Sequence, residues 1–236
     1  MFESLFAKTF TILGSQLLIT FFSAVAIVRY LRRLYRKNVP GITATTNETG
    51  ELDLRVDNSI VRPYVWPLLI AYFGLFFILL FVGLDQPAVG IPVFTVWSLV
   101  MGAVLALGLV RIDENFAARV LGITACITFL CAMIAIYSGI DFSFLEGILF
   151  FALLALLLVT TVGLFIRIGS AEKRLTAFFG VFIFIGYLLV DFSRLQEMQK
   201  AGKNTWPAAM DVALSLYLDI INLFLQLLEL LGEANN

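Results

Sequence analysis

The chain of 236 residues contains no histidine and only two cysteines. Zinc centres built from His and Cys are therefore excluded in practice, and any response to pH near neutrality must come from carboxylates with raised pKa values or from groups outside the chain. Cys126 and Cys131 lie five residues apart in an apolar run, on different helix faces, so they read as packing residues and not as a disulfide or a metal pair. Charge is scarce too: 14% of residues are charged and the formal net charge is -1, which leaves no basic excess for a nucleic-acid partner. What fills the chain instead is hydrocarbon. With 61% hydrophobic residues and a mean hydropathy of +0.97, the composition is that of an integral membrane protein and not of a soluble domain.

In lipid every backbone polar group must be paired within the protein, so each apolar run of about 20 residues is expected to be a helix across the ~30 Å hydrocarbon core. Seven runs qualify: Leu5 to Tyr30, Tyr64 to Leu84, Ala88 to Val110, Ala117 to Tyr137, Phe144 to Ile166, Leu175 to Leu195 and Ala208 to Leu231. The first is read as a retained span and not a cleaved signal, being long enough to cross and followed directly by basic residues. The fold class expected is an all-α membrane protein, a seven-helix bundle forming a single domain over residues 1–236. Most connections are short, which makes consecutive helices antiparallel neighbours. The exception is residues 31–62, expected as a polar loop with room for a short hairpin. It opens on Arg32, Arg33, Arg36 and Lys37 and carries Glu48, Glu51, Asp53 and Asp57. A juxtamembrane basic cluster of this kind sets orientation and binds lipid headgroups.

Two spans carry acids in unusual places. In the last, Asp211, Ser215, Asp219, Asn222, Gln226 and Glu229 fall within a wedge of roughly 80° on one helix face while almost every other position is apolar. A mid-span carboxylate such as Asp219 is expensive in hydrocarbon, so it is expected to face protein or a water-filled cavity and to mark a functional site. In the sixth span Asp191 follows Tyr187 by one turn and precedes Arg194 by one turn, all three on one face. The short connection between these spans makes them neighbours. If Asp191 and Asp219 meet in a low dielectric they cannot both ionise cheaply; the pair then shares a proton and titrates in two coupled steps. In the alternative, Asp191 pairs with Arg194 at the headgroup boundary and Asp219 bonds a neighbouring helix.

The run Ala213-Leu214-Ser215-Leu216-Tyr217-Leu218-Asp219-Ile220-Ile221-Asn222-Leu223-Phe224-Leu225, continued by Leu227-Leu228 and Leu230-Leu231-Gly232, resembles the last helix of the transmembrane Bax inhibitor motif family, the Bax inhibitor-1-like proteins. Asp141-Phe142-Ser143-Phe144-Leu145 before the fifth span, and an aspartate late in the sixth, are similar to the same family. The resemblance covers residues 124–232 well and the first half only by span order. It implies six helices around a central C-terminal one and, from prokaryotic members, a pH-sensitive calcium leak in which two aspartates sense protons. Those map onto Asp191 and Asp219, which would also be the metal-contacting groups. Ser215, Asn222, Gln226, Asp211 and Glu229 would flank the ion path, with Arg194 and Tyr187 as latch or counter-charge. Ca²⁺ would be a permeant or transiently bound ion, suited to these oxygen ligands. The expected partners are Ca²⁺, protons and the bilayer, with no organic cofactor, no catalytic residues and no nucleic acid. The chain is read as a monomer in a prokaryotic plasma membrane.

The sequence departs from the family pattern at the far end of the second span, where Phe81-Val82-Gly83-Leu84-Asp85-Gln86-Pro87 offers an acid in place of a latching arginine; Arg62 lies at the opposite end. Orientation is also contested. The side reached after spans one, three and five holds twelve of the 16 Lys and Arg residues, including Arg111 and Arg167, and the other side holds Lys8, Arg194, Lys200 and Lys203. The positive-inside rule then places the carboxyl terminus in the cytoplasm, whereas the resemblance implies the reverse. Two other functions compete. An intramembrane aspartyl protease would also use two aspartates on adjacent helices, but its signatures are missing: Val190 precedes Asp191, and Leu216-Tyr217-Leu218 precedes Asp219. A non-transporting regulator of a membrane partner, such as a quality-control protease or a stress or cell-death regulator, remains the alternative.

Overall fold

The computed structural model describes residues 4–46, 52–110, 112–166 and 169–232. Glu48, Glu51, Arg111 and Arg167, named above, lie outside the described residues. Seven helices among those described are long and apolar enough to cross a membrane. They are α1 (Leu5–Arg36), α2 (Asn58–Ile78, continued by a π-helical turn over Leu79–Gly83), α3 (Pro87–Leu109), α4 (Glu114–Tyr137), α5 (Glu146–Phe165), α6 (Ser170–Lys200) and α7 (Trp206–Gly232). The protein is thus a multi-pass integral membrane protein, as its composition requires.

Span boundaries differ from the sequence expectation where polar residues extend a helix beyond the hydrocarbon. α1 has 32 residues, about 48 Å at 1.5 Å per residue, and carries Arg32, Arg33 and Arg36 on helix instead of in a loop. Arg33 and Arg36 in its last turn complement the negative end of the helix dipole. Of the stretch expected as a loop, Ile42–Thr46 (β1) and Leu52–Val56 (β2) pair antiparallel, Ile42 opposite Val56 and Thr46 opposite Leu52. Asn38 and Gly41 take positive φ on the way in, and Ile42 is buried with Val110 against Leu31, Leu34 and Tyr35.

The chain divides into two compact units. One holds α1 to α3 and the start of α7, residues 8–117 and 206–211. Here α1 buries Thr9, Ile12, Leu13, Gln16, Thr20, Ala24 and Val28 along one stripe and exposes Phe10, Leu18, Phe21 and Phe22 on the other. Hydrophobicity cannot draw helices together inside a bilayer, so small residues and hydrogen bonds must do so. Gln16 Nε2 donates to Thr95 Oγ1 at 3.2 Å, Thr20 Oγ1 to the Ser98 carbonyl at 3.2 Å, and Ser23 Oγ to the Leu99 carbonyl at 2.9 Å. Gly102 lets the backbones approach: a Cβ there would lie 2.5 Å from the Thr20 carbonyl oxygen. At the turn into α3, a Cβ on Gly90 would come within 2.2 Å of the Gly83 carbonyl and 2.3 Å of Met210 Cε. The fully buried Trp97 donates from Nε1 to the Tyr72 carbonyl at 3.1 Å and stacks near Tyr72 and Phe76. Arg32 pairs with Glu114, and Lys8 lies over the Trp206 ring.

The second unit holds most of α4, with α5, α6 and α7 from Val212. Asp141 opens the 3₁₀ turn Ser143–Leu145 by accepting from the Ser143 N–H at 2.8 Å, and this bond lowers the pKa of the exposed Asp141 carboxyl. The Phe142 N–H donates to Ser193 Oγ at 3.5 Å, and Gln196 Nε2 donates to the Ile136 carbonyl, tying the α4–α5 connection to α6. Gly186 receives Leu149, whose Cδ2 would be 2.7 Å from an added Cβ.

If backbone contact at Gly102 holds α1 to α3, Gly102→Ala lowers thermal stability in detergent, by about 1–3 kcal/mol for an overpacked site. Gly14→Ala, where a Cβ meets nothing within 4 Å, leaves it unchanged or slightly raised. Unfolding curves of the two variants, followed by tryptophan fluorescence, check this; equal melting of both would show that the glycine contact does not hold the pair.

Candidate functional site

Half of the most apolar window in α6 and in α7 is buried, against 6% in α2 and 11% in α5. Acids in mid-span are tolerable only on such enclosed helices. Both are there: Asp191 on α6 is 8% exposed and Asp219 on α7 is 7% exposed, and the two side chains lie within hydrogen-bonding reach of each other. Asp219 Oδ2 is buried and has no partner among the described residues.

Helix lengths explain how residues at unequal distances from the connection can meet. α6 runs on to Lys200, past the expected end at Leu195, and α7 starts at Trp206, before the expected Ala208. Asp191 then sits nine residues from its helix end and Asp219 thirteen from its own start, a mismatch of about 6 Å along the axis. The sequence boundaries imply nearly twice that offset. Gly202, at φ 70°, turns the chain between the two helices. Closer contact comes from Gly180 on α6: a Cβ there would lie 2.4 Å from Gln226 Oε1, so only glycine leaves room for that amide.

The polar wedge on α7 divides along its length. Asp219 is buried and Gln226 is half-buried with an enclosed Oε1 that has no partner among the described residues. The other margin of the wedge is accessible: Asp211, Ser215 and Asn222 are half-buried and Glu229 is exposed. Beyond this margin only Leu218 and Leu225 interrupt the polar seam, while Val212, Ala213, Leu216, Tyr217, Leu223, Phe224 and Leu227 are buried. A membrane helix facing lipid would show the opposite pattern. Asn222 Nδ2 turns back to donate to the Leu218 carbonyl at 2.8 Å.

On α6, Tyr187, Val190, Asp191 and Arg194 share one face and line a cavity of about 600 Å³ with Glu146, Gly147 and Phe150 of α5. The common face of Tyr187, Asp191 and Arg194 is the one expected from their spacing. Tyr187 thus borders the same space as Asp191 and Glu146. Glu146 was not anticipated as a site residue. Its signal was available: it is the only charged residue between Asp141 and Arg167. Asp85, at the far end of the second span, is exposed, as is Arg62 at the other end.

No group of three or more His, Cys, Asp or Glu side chains capable of holding a metal occurs among the described residues. Ca²⁺ requires about six to eight oxygens, so two carboxylates alone do not make up a closed calcium site. Chemically, the arrangement can hold a proton between two acids or receive a hydrated cation.

Comparison with known proteins agrees with this architecture. Over 153 residues the chain is 29% identical to an uncharacterized membrane protein of Streptococcus pyogenes serotype M6, a stretch that covers 63% of this chain and 65% of that protein. It is 35% identical over 96 residues to the protein LIFEGUARD 4 of Arabidopsis thaliana, covering 41% of this chain and 37% of the plant protein. To the BI1-like protein of the same plant it is 33% identical over 98 residues, 42% and 36% of the two chains. Less than two thirds of each relative's length is matched. The family match itself runs from residue 3 to residue 236, and the chain belongs to the family described as inhibitor of apoptosis-promoting Bax1.

Proposed function

We propose that the protein is a pH-sensitive cation leak, with Ca²⁺ as the permeant ion, gated by protonation of the Asp191–Asp219 pair. The observation that carries this reading is the placement of two enclosed carboxyl groups within hydrogen-bonding reach, one of them lining a cavity of about 600 Å³. A hydrogen bond between two carboxyl groups requires a proton on one of them. Loss of that proton leaves two negative charges side by side in a medium where their repulsion is poorly screened. A cation can relieve that repulsion in place of the proton. The two ions therefore compete for the same oxygens.

In this reading six helices surround α7, and its accessible seam of Asp211, Ser215, Asn222 and Glu229, with Gln226 at its buried margin, lines the path. Arg194 is the counter-charge at its mouth and Tyr187 a hydroxyl partner of the pair. The permeant ion arrives with part of its water, because protein oxygens alone cannot complete its shell. The membrane is the plasma membrane of a prokaryotic cell, and the working unit is a monomer. The second reading, a non-transporting regulator of a membrane partner, is favoured by the family's description, which speaks of inhibition of an apoptosis promoter and not of transport.

The direction of the pH effect follows from competition. Acid fills the pair with protons and lowers cation flux; alkali empties it and raises flux, by up to about tenfold per pH unit, the limit for one competing proton. Calcium-loaded liposomes containing the parent protein, Asp191→Asn or Asp219→Asn, assayed across a pH series, test this. The parent is expected to leak less in acid, and both variants are expected to lose that dependence. Parent-like leakage from both variants at every pH would remove the pair from the mechanism. A parent that carries no ions at all leaves the regulator as the better reading.

A further inference from the structure

The cavity in front of Asp191 has an outer and an inner carboxylate. Glu146, in the first turn of α5, is exposed, and Asp191 at the back is buried. Tyr187 lines the same space, as does the small residue Gly147, where a Cβ would meet nothing within 4 Å. Phe150 and Val190 complete the walls and Arg194 the rim. Close to this space, Leu149 seats on Gly186, so α5 and α6 touch there. A volume of about 600 Å³ corresponds to about twenty waters at roughly 30 Å³ each, ample for a divalent ion with its first shell.

We infer that this groove between α5 and α6 is a side-opening vestibule in which Glu146 captures a hydrated divalent cation and passes it to Asp191. The inference rests on the leak reading and adds to it the route of entry and its first ligand. Because no third acid joins the pair among the described residues, the ion must keep water until it arrives, and this groove is a space large enough for water that Asp191 lines. A carboxylate at the mouth raises the local concentration of cations without the cost of full desolvation, since Glu146 stays exposed. Arg194 at the same rim repels an ion that approaches from its side, which leaves the α5 edge as the point of entry. A phospholipid seated in the groove is the competing occupant.

The test uses the full chain with Cys126→Ser and Cys131→Ser, in calcium-loaded liposomes. Phe150→Cys is added in one variant and Leu158→Cys in another; Leu158 is 66% exposed on α5 but does not line the groove. A water-soluble, positively charged thiol reagent is expected to label Phe150→Cys and cut its flux at least several-fold, and to leave Leu158→Cys unlabelled and its flux intact. Separately, Glu146→Gln is expected to raise the half-saturating Ca²⁺ concentration by about tenfold with little change in maximal flux, and Glu146→Asp to restore it. Phe150→Cys as unreactive as Leu158→Cys would mean that lipid fills the groove, and labelling without loss of flux would mean that ions enter elsewhere. Either result overturns the vestibule while a pH-dependent leak in the parent stands. A parent without flux removes both.

Discussion

A carboxylate in the middle of a bilayer has to be enclosed, paired or wet, and the arrangement of α6 and α7 meets that constraint in all three ways. Asp219 is enclosed, Asp191 is its partner, and the cavity beside Asp191 supplies room for water. Remove any one of these and the cost of the acids falls on the fold. The extension of α6 to Lys200 and of α7 back to Trp206 reduces the axial offset between two acids carried on separate helices. Enclosure also explains the distribution of burial, with α6 and α7 half buried while α2 and α5 show their apolar side chains.

Helices in lipid gain little from hydrophobic contact with each other, and the two units solve that problem with the same materials. In one, Gly102 admits the backbone of Thr20, while Gln16, Thr20 and Ser23 donate across to α3. In the other, Gly186 seats Leu149 and Gly180 seats Gln226. The second unit turns one of these contacts toward its site: the amide that fills the space at Gly180 belongs to the same polar wedge as Asp219. The Asp141-Phe142-Ser143 run, similar to the family pattern in sequence, is a connection device in structure, since Asp141 caps its own turn and Phe142 reaches Ser193 two residues from Asp191.

The fold class was legible because the length and polarity of each apolar run are local properties set by the bilayer. All seven expected spans correspond to helices; the largest errors are extensions, as of α1 through Arg36 and α6 through Lys200, while α5 is slightly shorter than expected because a 3₁₀ turn over Ser143–Leu145 precedes it. Nothing in the lipid argument limits a helix outside the lipid, so those ends were illegible. The site was legible in part for the same reason: an acid in an apolar run stands out, and Asp191 and Asp219 did. Glu146 stood out less because an acid in the first turn of a helix is ordinary, where it complements the dipole, and only its place in the cavity lining with Tyr187 and Asp191 gives it a second meaning. The glycine seats at residues 102, 180 and 186 depend on which helix lies opposite. Spacing along one chain carries no such information.

The two acids of the pair are not equivalent, and that asymmetry bears on how the site would work. Asp191 borders the cavity, while Asp219 keeps one oxygen enclosed without a partner among the described residues. An unpartnered carboxylate oxygen in an enclosed site is tolerable while its group is neutral and costly once it is charged. In the proposed mechanism the penalty for losing the proton would therefore fall on Asp219, and the proton would leave by way of Asp191. A symmetric pair would respond to protons from either side. Under the proposed mechanism this one would answer to the contents of one cavity on α6, so the compartment that fills that cavity would set its state.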